Sequence, residues 1–332
     1  MKYQENYSFV NLSSLKIDEK ASYYCELKNQ DDLLEILDFA TQKNLPIFFI
    51  GEGTNIVPTK SFDGVVIKNL LKGITIIDEK TTEVASGENW NDFVSWSLSK
   101  NKFGLENLGL IPGTVGAAPV QNIGAYGSEV SNYIKEIKTF NALTRKIEII
   151  QAKDCNFDYR TSIFKYRKEL LILSVTFLTK TKPTIDISYQ SLLKRIDQKN
   201  LKKESLSPVD IYDLVCEIRN SVLPDHISYP NVGSFFKNTY VTKDKINEYT
   251  LDPKTPLFIQ DNYIKIPSAY LIESCGWKGK RRGGVGVSEK HSLVIVNYEQ
   301  VSGNLMLSFA NNLIDDVFNK TNIKLEIEPS LV

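Results

Sequence analysis

Five short runs in this chain hold residues that could do chemistry. Gly51-Glu52-Gly53-Thr54-Asn55 follows the apolar run 46–50. Two glycines after a strand let the backbone approach a ligand closely and turn N–H groups toward phosphate, although taken alone the pentapeptide reads as an ordinary strand-to-loop turn. The second run is Ile111-Pro112-Gly113-Thr114-Val115-Gly116-Ala117-Ala118-Pro119-Val120-Gln121-Asn122-Ile123-Gly124-Ala125-Tyr126-Gly127, with four glycines, three alanines and two prolines. It has neither helical nor strand periodicity. Its polar members, Thr114, Gln121 and Asn122, are hydrogen-bonding types, which suits backbone wrapped around a flat, polar cofactor. In the third, Tyr159-Arg160-Thr161-Ser162-Ile163-Phe164, a guanidinium sits where it could grip a carboxylate through two parallel bonds. The fourth, residues 231–238, contains Ser234 with Lys237 and Asn238. The fifth, Leu325-Glu326-Ile327-Glu328, alone says only that a half-exposed strand is present.

Several familiar chemistries lack their residues. Residues 51–56 miss the third glycine of the dinucleotide-binding fingerprint. No Gly-Lys-Ser/Thr phosphate loop and no Gly-x-Ser-x-Gly elbow occurs. The two histidines, His226 and His291, stand apart from other ligand types, so no metal site is expected. The four scattered cysteines read as reduced thiols rather than a disulfide framework.

Together the five runs resemble, in order and over nearly the whole chain, the UDP-N-acetylenolpyruvoylglucosamine reductase family. The resemblance implies an α+β fold with FAD held, without a covalent bond, in a domain of the vanillyl-alcohol-oxidase type, and a C-terminal α/β substrate domain. It implies NADPH-dependent reduction of UDP-N-acetylglucosamine enolpyruvate to UDP-N-acetylmuramate, a step of peptidoglycan precursor synthesis tied to cell shape and division. NADPH would reduce FAD, and flavin N5 would deliver hydride to the terminal enolpyruvyl carbon. Residue by residue it assigns catalysis to Arg160, Ser234 as proton donor and Glu328. Cofactor contacts fall on Gly51, Glu52, Gly53, Thr54, Asn55, Ile111, Pro112, Gly113, Thr114, Gly116, Ala117, Gln121, Asn122, Gly124, Ala125, Tyr126 and Gly127. Substrate contacts fall on Tyr189, Asn238 and His291. The segment with Tyr189 resembles the longer subtype, which has a tyrosine loop over the active site.

Two positions depart from the family pattern. Glu328 precedes Pro329 where Glu-Val-Arg is usual, which leaves Glu326 as an alternative in a shifted register. Val222 stands where a diphosphate-binding lysine occurs, with Lys237 or Lys265 as possible replacements. The alternative functions are another FAD oxidoreductase of the same fold and a non-catalytic nucleotide-sugar binder. The absence of any histidine before His226, and of cysteine in the central run, argues against a tethered flavin.

The elements that must position these residues are partly legible. Residues 31–43 have helical periodicity, 46–50 read as a buried strand, and 65–67, 74–77, 83–86, 137–140, 146–150 and 170–178 as further strands. Residues 90–99 read as a helix. Residues 184–206 are polar and lysine-rich and read as a surface excursion. Ser207-Pro208 opens a helix to about Ser221, and Pro224 breaks it. Residues 267–275 form a helix closed by Gly276; 293–296 are a strand, 301–319 an amphipathic helix, and 323–327 a closing strand. The expected division is 1–72 and 73–222 for FAD and 223–322 for the UDP-sugar, with 323–332 returning to the first. Lys+Arg and Asp+Glu balance at 40 each, so no net field draws the chain to nucleic acid or membrane. The polar N-terminus lacks a signal core, and no apolar stretch is long enough to span a bilayer. A monomeric, cytoplasmic enzyme is expected.

Overall fold

The periodicity of residues 31–43 is realised as α1, Asp32–Gln42, in the computed structural model, which describes residues 1–332. Leu33, Ile36, Leu37 and Ala40 form its buried stripe, the i, i+3, i+4, i+7 pattern of an amphipathic helix. The stripe closes a core with Cys25, Leu27, Val65, Ile67, Phe140, Leu171 and Leu173. Strand Ile47–Ile50 runs parallel to Phe62–Asn69, with Ile47 opposite Val65, so the chain must cross over between them. That crossover carries Gly51 to Asn55.

A second sheet, of five strands, is antiparallel throughout, in the order Lys146–Gln151, Ile134–Asn141, Leu170–Leu178, Thr81–Ala85, Ile74–Ile76. Strand Leu170–Leu178 is central and buried on both faces, which explains a composition that is apolar but for Ser174 and Thr176. Helix α2, Trp90–Ser99, begins at Asn89, whose side chain accepts the Asp92 N–H at 3.0 Å. Its Trp90 and Phe93 pack on Phe177 in a core shared with Leu105, Leu108, Val115 and Val130.

The surface excursion expected over residues 184–206 contains a helix. In α3, Gln190–Gln198, Leu192 and Ile196 are fully buried. They pack against Ile211, Leu214, Val215 and Ile218 of α4, Pro208–Val222. Two apolar anchors in a nine-residue polar helix are too few to stand out as a period. Helix α4 starts where Ser207-Pro208 places it. The Asp210 N–H donates to Ser207 Oγ at 3.2 Å and the Ser207 N–H to Asp210 Oδ2 at 2.8 Å, a reciprocal cap.

The chain divides into two compact units. The first is Met1–Glu5, Ser22–Glu52 and Asp63–Ser221; the second is Asn6–Ala21, Gly53–Phe62 and Val222–Val332. In the second, α5, Ser268–Ser274, is followed by Gly276 at φ +80°. Helix α6, Gly303–Thr321, is capped by Ser302 and ends at Asn322 in the left-handed region. Its Met306, Phe309, Ala310, Leu313 and Val317 enter one core with Phe235, Phe236, Trp277, Val285 and Ile295.

Residues 323–327 do not make the expected closing strand. They form a single bridge, Ile327 with Phe236. The next N–H that could extend the pairing, that of Ser330, bonds instead to Asn55 O at 3.0 Å. The last strand is instead Ser330–Leu331, parallel to Ile56–Val57.

Candidate functional site

In the first unit the central run ends in a hairpin. Gly124 pairs with Glu129 and Ala125 with Ser128, leaving Tyr126 at φ +47° and Gly127 at φ +83° as the two loop residues. Two positive-φ residues make the tight turn that matches strand twist. Gly127 is needed for its backbone rather than for space, since a Cβ there would meet nothing nearer than 3.8 Å. Tyr126 accepts a left-handed conformation that costs a non-glycine residue about 1 kcal/mol or more. Asn122 holds the base of the hairpin. Its Nδ2 donates to Glu129 Oε2 at 2.9 Å and to Asp158 O at 3.2 Å, and its Oδ1 accepts the Ser131 N–H at 3.1 Å. Its amide is therefore engaged by the chain itself.

Arg160 lies in a tight turn in which Asp158 and Thr161 exchange backbone bonds of 3.2 Å. It too is left-handed, at φ +52°. Its Nη2 donates to Gly124 O at 2.7 Å and its Nη1 to Asn122 O at 3.4 Å. Ser162 Oγ donates to Val120 O at 2.8 Å. The Tyr-Arg-x-Ser loop is thus sewn to the central run.

The start of that run is sewn to the first glycine loop. Glu52 accepts from Asn89 Nδ2 at 2.8 Å and from the Gly113 N–H at 3.1 Å. Gly51 lies so close to Thr114 that a Cβ would fall 2.6 Å from its Oγ1. Val115 and Gly116 donate to the carbonyls of Glu88 and Ser86, and Ala117 donates to Thr114 O. Ile111 packs on the core beneath α2. In the second unit, Gly53 at φ +68° approaches Leu12 O so closely that only glycine fits, and the carbonyl of Asn55 accepts the Ser330 N–H at 3.0 Å.

Two residues of the first unit were missed in the sequence. Arg219 of α4 donates through Nε to Leu110 O at 3.2 Å. Burial pushes its pKa down, and the charge of Arg160 adds to that effect. Arg219 lies four residues after Val215 and eight after Ile211, on the buried stripe of α4. A cation in that register was the available signal. Asn107, 3% exposed, donates through Nδ2 to Tyr126 O at 2.9 Å and Asp186 O at 3.0 Å. Tyr189, at the start of α3, stands edge-on to Tyr126 with ring centroids 5.5 Å apart.

In the second unit, Ser234-Phe235-Phe236-Lys237 runs between two other segments. Phe235 donates to Leu293 O at 2.7 Å, and Ser234 bridges Val294. On the other side the Glu328 N–H donates to Phe235 O at 3.0 Å and the Lys237 N–H to Glu326 O at 2.9 Å. Ser234 and Glu328 are thereby brought onto neighbouring segments. The alternation of buried 323 and 325 with exposed 324 and 326 lapses at Ile327, so Glu328 is 8% exposed while Glu326 lies at the surface in an ion pair with Lys237. Asn238 Oδ1 accepts the Ser268 N–H at 3.2 Å. His291 Nδ1 accepts the Leu293 N–H at 3.2 Å, which places the proton of a neutral imidazole on Nε2. Lys265 stands opposite Tyr240, and Val222 closes α4. No helix is long and apolar enough to cross a membrane.

Comparison with known proteins finds two family domains along the chain. A family model described as an FAD-binding domain matches residues 21–146. One described as the C-terminal domain of UDP-N-acetylenolpyruvoylglucosamine reductase matches residues 225–332. A UDP-N-acetylenolpyruvoylglucosamine reductase of Pseudomonas putida is 35% identical, with 100% of this chain and 99% of that protein covered. One of Flavobacterium johnsoniae is 36% identical, with both chains covered in full. The crystal structure of the Thermus caldophilus reductase shares the fold, with a TM-score of 0.68 at 19% identity over 100% of this chain and 99% of that one. A likeness of that identity, sustained from one end of the chain to the other, makes this protein a member of the UDP-N-acetylenolpyruvoylglucosamine reductase family.

Proposed function

We propose that this chain catalyses the FAD-dependent reduction of UDP-N-acetylglucosamine enolpyruvate to UDP-N-acetylmuramate, with NADPH as electron donor. The observation that carries this reading is the fixing of Arg160. A left-handed backbone and a 2.7 Å bond to Gly124 O hold its guanidinium in place before any substrate arrives. A guanidinium already seated on the central run loses little further freedom when substrate binds.

The residues present suit FAD. Glu52 draws two glycine loops together, and Arg219 is a partly buried cation whose charged neighbour is another cation, so an anionic or electron-rich group is wanted there. Bound flavin supplies the hydride. Gly51 to Asn55 and residues 111–127 would hold the cofactor, with Asn122 and Glu52 shaping the loops. We assign 1–72 and 73–222 to FAD and 223–322 to the UDP-sugar.

Hydride arriving at the terminal enolpyruvyl carbon leaves negative charge beside the carboxylate. Arg160 stabilises that charge. Ser234 Oγ then gives its proton to the carbon that bears it, and the Glu328 carboxyl assists as a polarising acid. A serine hydroxyl is a weak acid, so it serves only where the charge is already lowered in energy and water is kept out. Tyr189, Asn238 and His291 would contact the UDP-sugar. A nucleotide-linked substrate and four free cysteines support a cytoplasmic setting.

The test is an NADPH oxidation assay with and without UDP-N-acetylglucosamine enolpyruvate. The proposal expects oxidation that depends on this substrate, with one equivalent of UDP-N-acetylmuramate formed for each NADPH. Flavin-containing protein that oxidises NADPH equally fast without it would be another oxidoreductase.

A further inference from the structure

The amide of Asn107 has two N–H donors, and both are used on backbone carbonyls from distant parts of the chain. One bond goes to Tyr126 O at the tip of the glycine hairpin, the other to Asp186 O, three residues before Tyr189. The Asp186 side chain then turns the backbone, accepting the Ser188 N–H on Oδ1 at 2.9 Å. The segment lies along the hairpin tip so closely that a Cβ on Gly127 would be 3.8 Å from both Asp186 Oδ2 and Ser188 Oγ. On the far side of Tyr189, Leu192 and Ile196 are buried against α4, and Arg195 pairs with Glu217. The segment is therefore anchored at both ends. Tyr189 lies between the anchors, 41% exposed, with its ring edge-on to Tyr126.

We propose that Asn107 is a positioning residue that holds the Tyr189 segment onto the Tyr126 hairpin and so fixes where the Tyr189 ring meets substrate. Ile185 and Ile187 pack on the same core as α3, but apolar contact is non-directional and does not by itself set the orientation of the backbone between Asp186 and α3. Paired carbonyls held by one planar amide remove that freedom before substrate binds, which lowers the ordering cost of binding. The inference rests on the reading of Tyr189 as a substrate contact.

Asn107→Asp keeps the shape but replaces the one nitrogen that carries both N–H donors with an acceptor oxygen facing two carbonyl oxygens. Asn107→Ala removes the donors without adding charge, and serves where the aspartate variant folds poorly. Holoenzyme variants are first matched to the parent in flavin content. The expected result for either is a rise of about tenfold or more in KM for UDP-N-acetylglucosamine enolpyruvate, with kcat changed far less. In a Tyr189→Ala background the same change should add almost nothing, because both act through one ring. A merely structural role would add its effect in full, so additive rises in KM overturn the proposal, as does a KM within about twofold of the parent. A Tyr189→Ala enzyme with the parent KM overturns instead the substrate role of Tyr189.

Discussion

Arg160 donates through Nη2 to the carbonyl of Gly124 at 2.7 Å, and a Cβ on Gly124 would lie 2.9 Å from Arg160 Nη1. The same missing side chain would also press on Glu129 Cγ and Ser128 O, each at 3.0 Å. Glycine at this position is thus part of the arginine's seat. Gly124→Ala should displace the guanidinium. Arg160→Lys keeps the charge but loses the planar fork. Both should lower turnover, the lysine variant by roughly 10²–10³ as for other preorganised charge stabilisers. Steady-state kinetics on variants with full flavin content checks this, and an Arg160→Lys enzyme with intact turnover and only a raised KM would reduce Arg160 to a binding group.

Ser234 separates the two half-reactions. Flavin reduction by NADPH needs no proton on carbon, whereas reduction of the enolpyruvyl ether does. In stopped flow, Ser234→Ala should bleach its flavin at close to the parent rate. Reoxidation by the enolpyruvyl substrate should slow by several orders of magnitude. Ser234→Cys should retain some activity, because a thiol can also give a proton. Parent-rate reoxidation in the alanine variant would remove this serine as the donor.

Glu326 and Glu328 are two residues apart and differ in surroundings. Glu326 is an exposed partner of Lys237, and such pairs contribute about 0–1 kcal/mol. Glu328 is buried and shares a backbone bond with Phe235, the neighbour of Ser234. Glu328→Gln should cost roughly 10²-fold or more in turnover, the size of a lost charge stabiliser, and Glu326→Gln should stay near the parent. The reverse order in kcat would mean that the shifted register carries the chemistry.

Glu106 links stability to pH. It is buried beside Asn107, and burial pushes its carboxyl above the ordinary range, against a backbone bond from Gly104 and the charge of Lys180. Between the unfolded value and the raised one, the folded chain holds a proton that the unfolded chain has released. Stability from this group is therefore greatest at low pH and falls as pH rises through the raised value. Glu106→Gln has no charge to bury. Its thermal midpoint relative to the parent should improve as pH rises from the ordinary carboxyl value of about 4.3 toward neutral. A difference that stays flat over that interval would show that Glu106 does not titrate there.

The chemistry of this chain was written largely in its residue types. Gly113, Gly124 and Gly127 all stand at backbone that a side chain would strain or displace, and the roles of Arg160, Ser234 and Glu328 were implied by resemblance to the family rather than by spacing. Helix α4 was legible because Ser207, Pro208 and Asp210 carry the cap within four residues, and α1 because its whole stripe repeats within eleven.

Tertiary structure decided what depends on partners far along the chain. Helix α3 was hidden because Leu192 and Ile196 gain their meaning only when α4 covers them. Asn107 looked like any loop asparagine until folding placed carbonyls of residues 126 and 186 on its two N–H groups. The choice between Glu326 and Glu328 was closed to sequence because alternation puts residues i and i+2 on the same face. It took the end of pairing at Ile327 to bury one carboxylate and leave the other with Lys237 at the surface. Local rules act over a few residues and survive in the sequence, whereas burial and hydrogen-bond partners across a hundred positions exist only once the chain has folded.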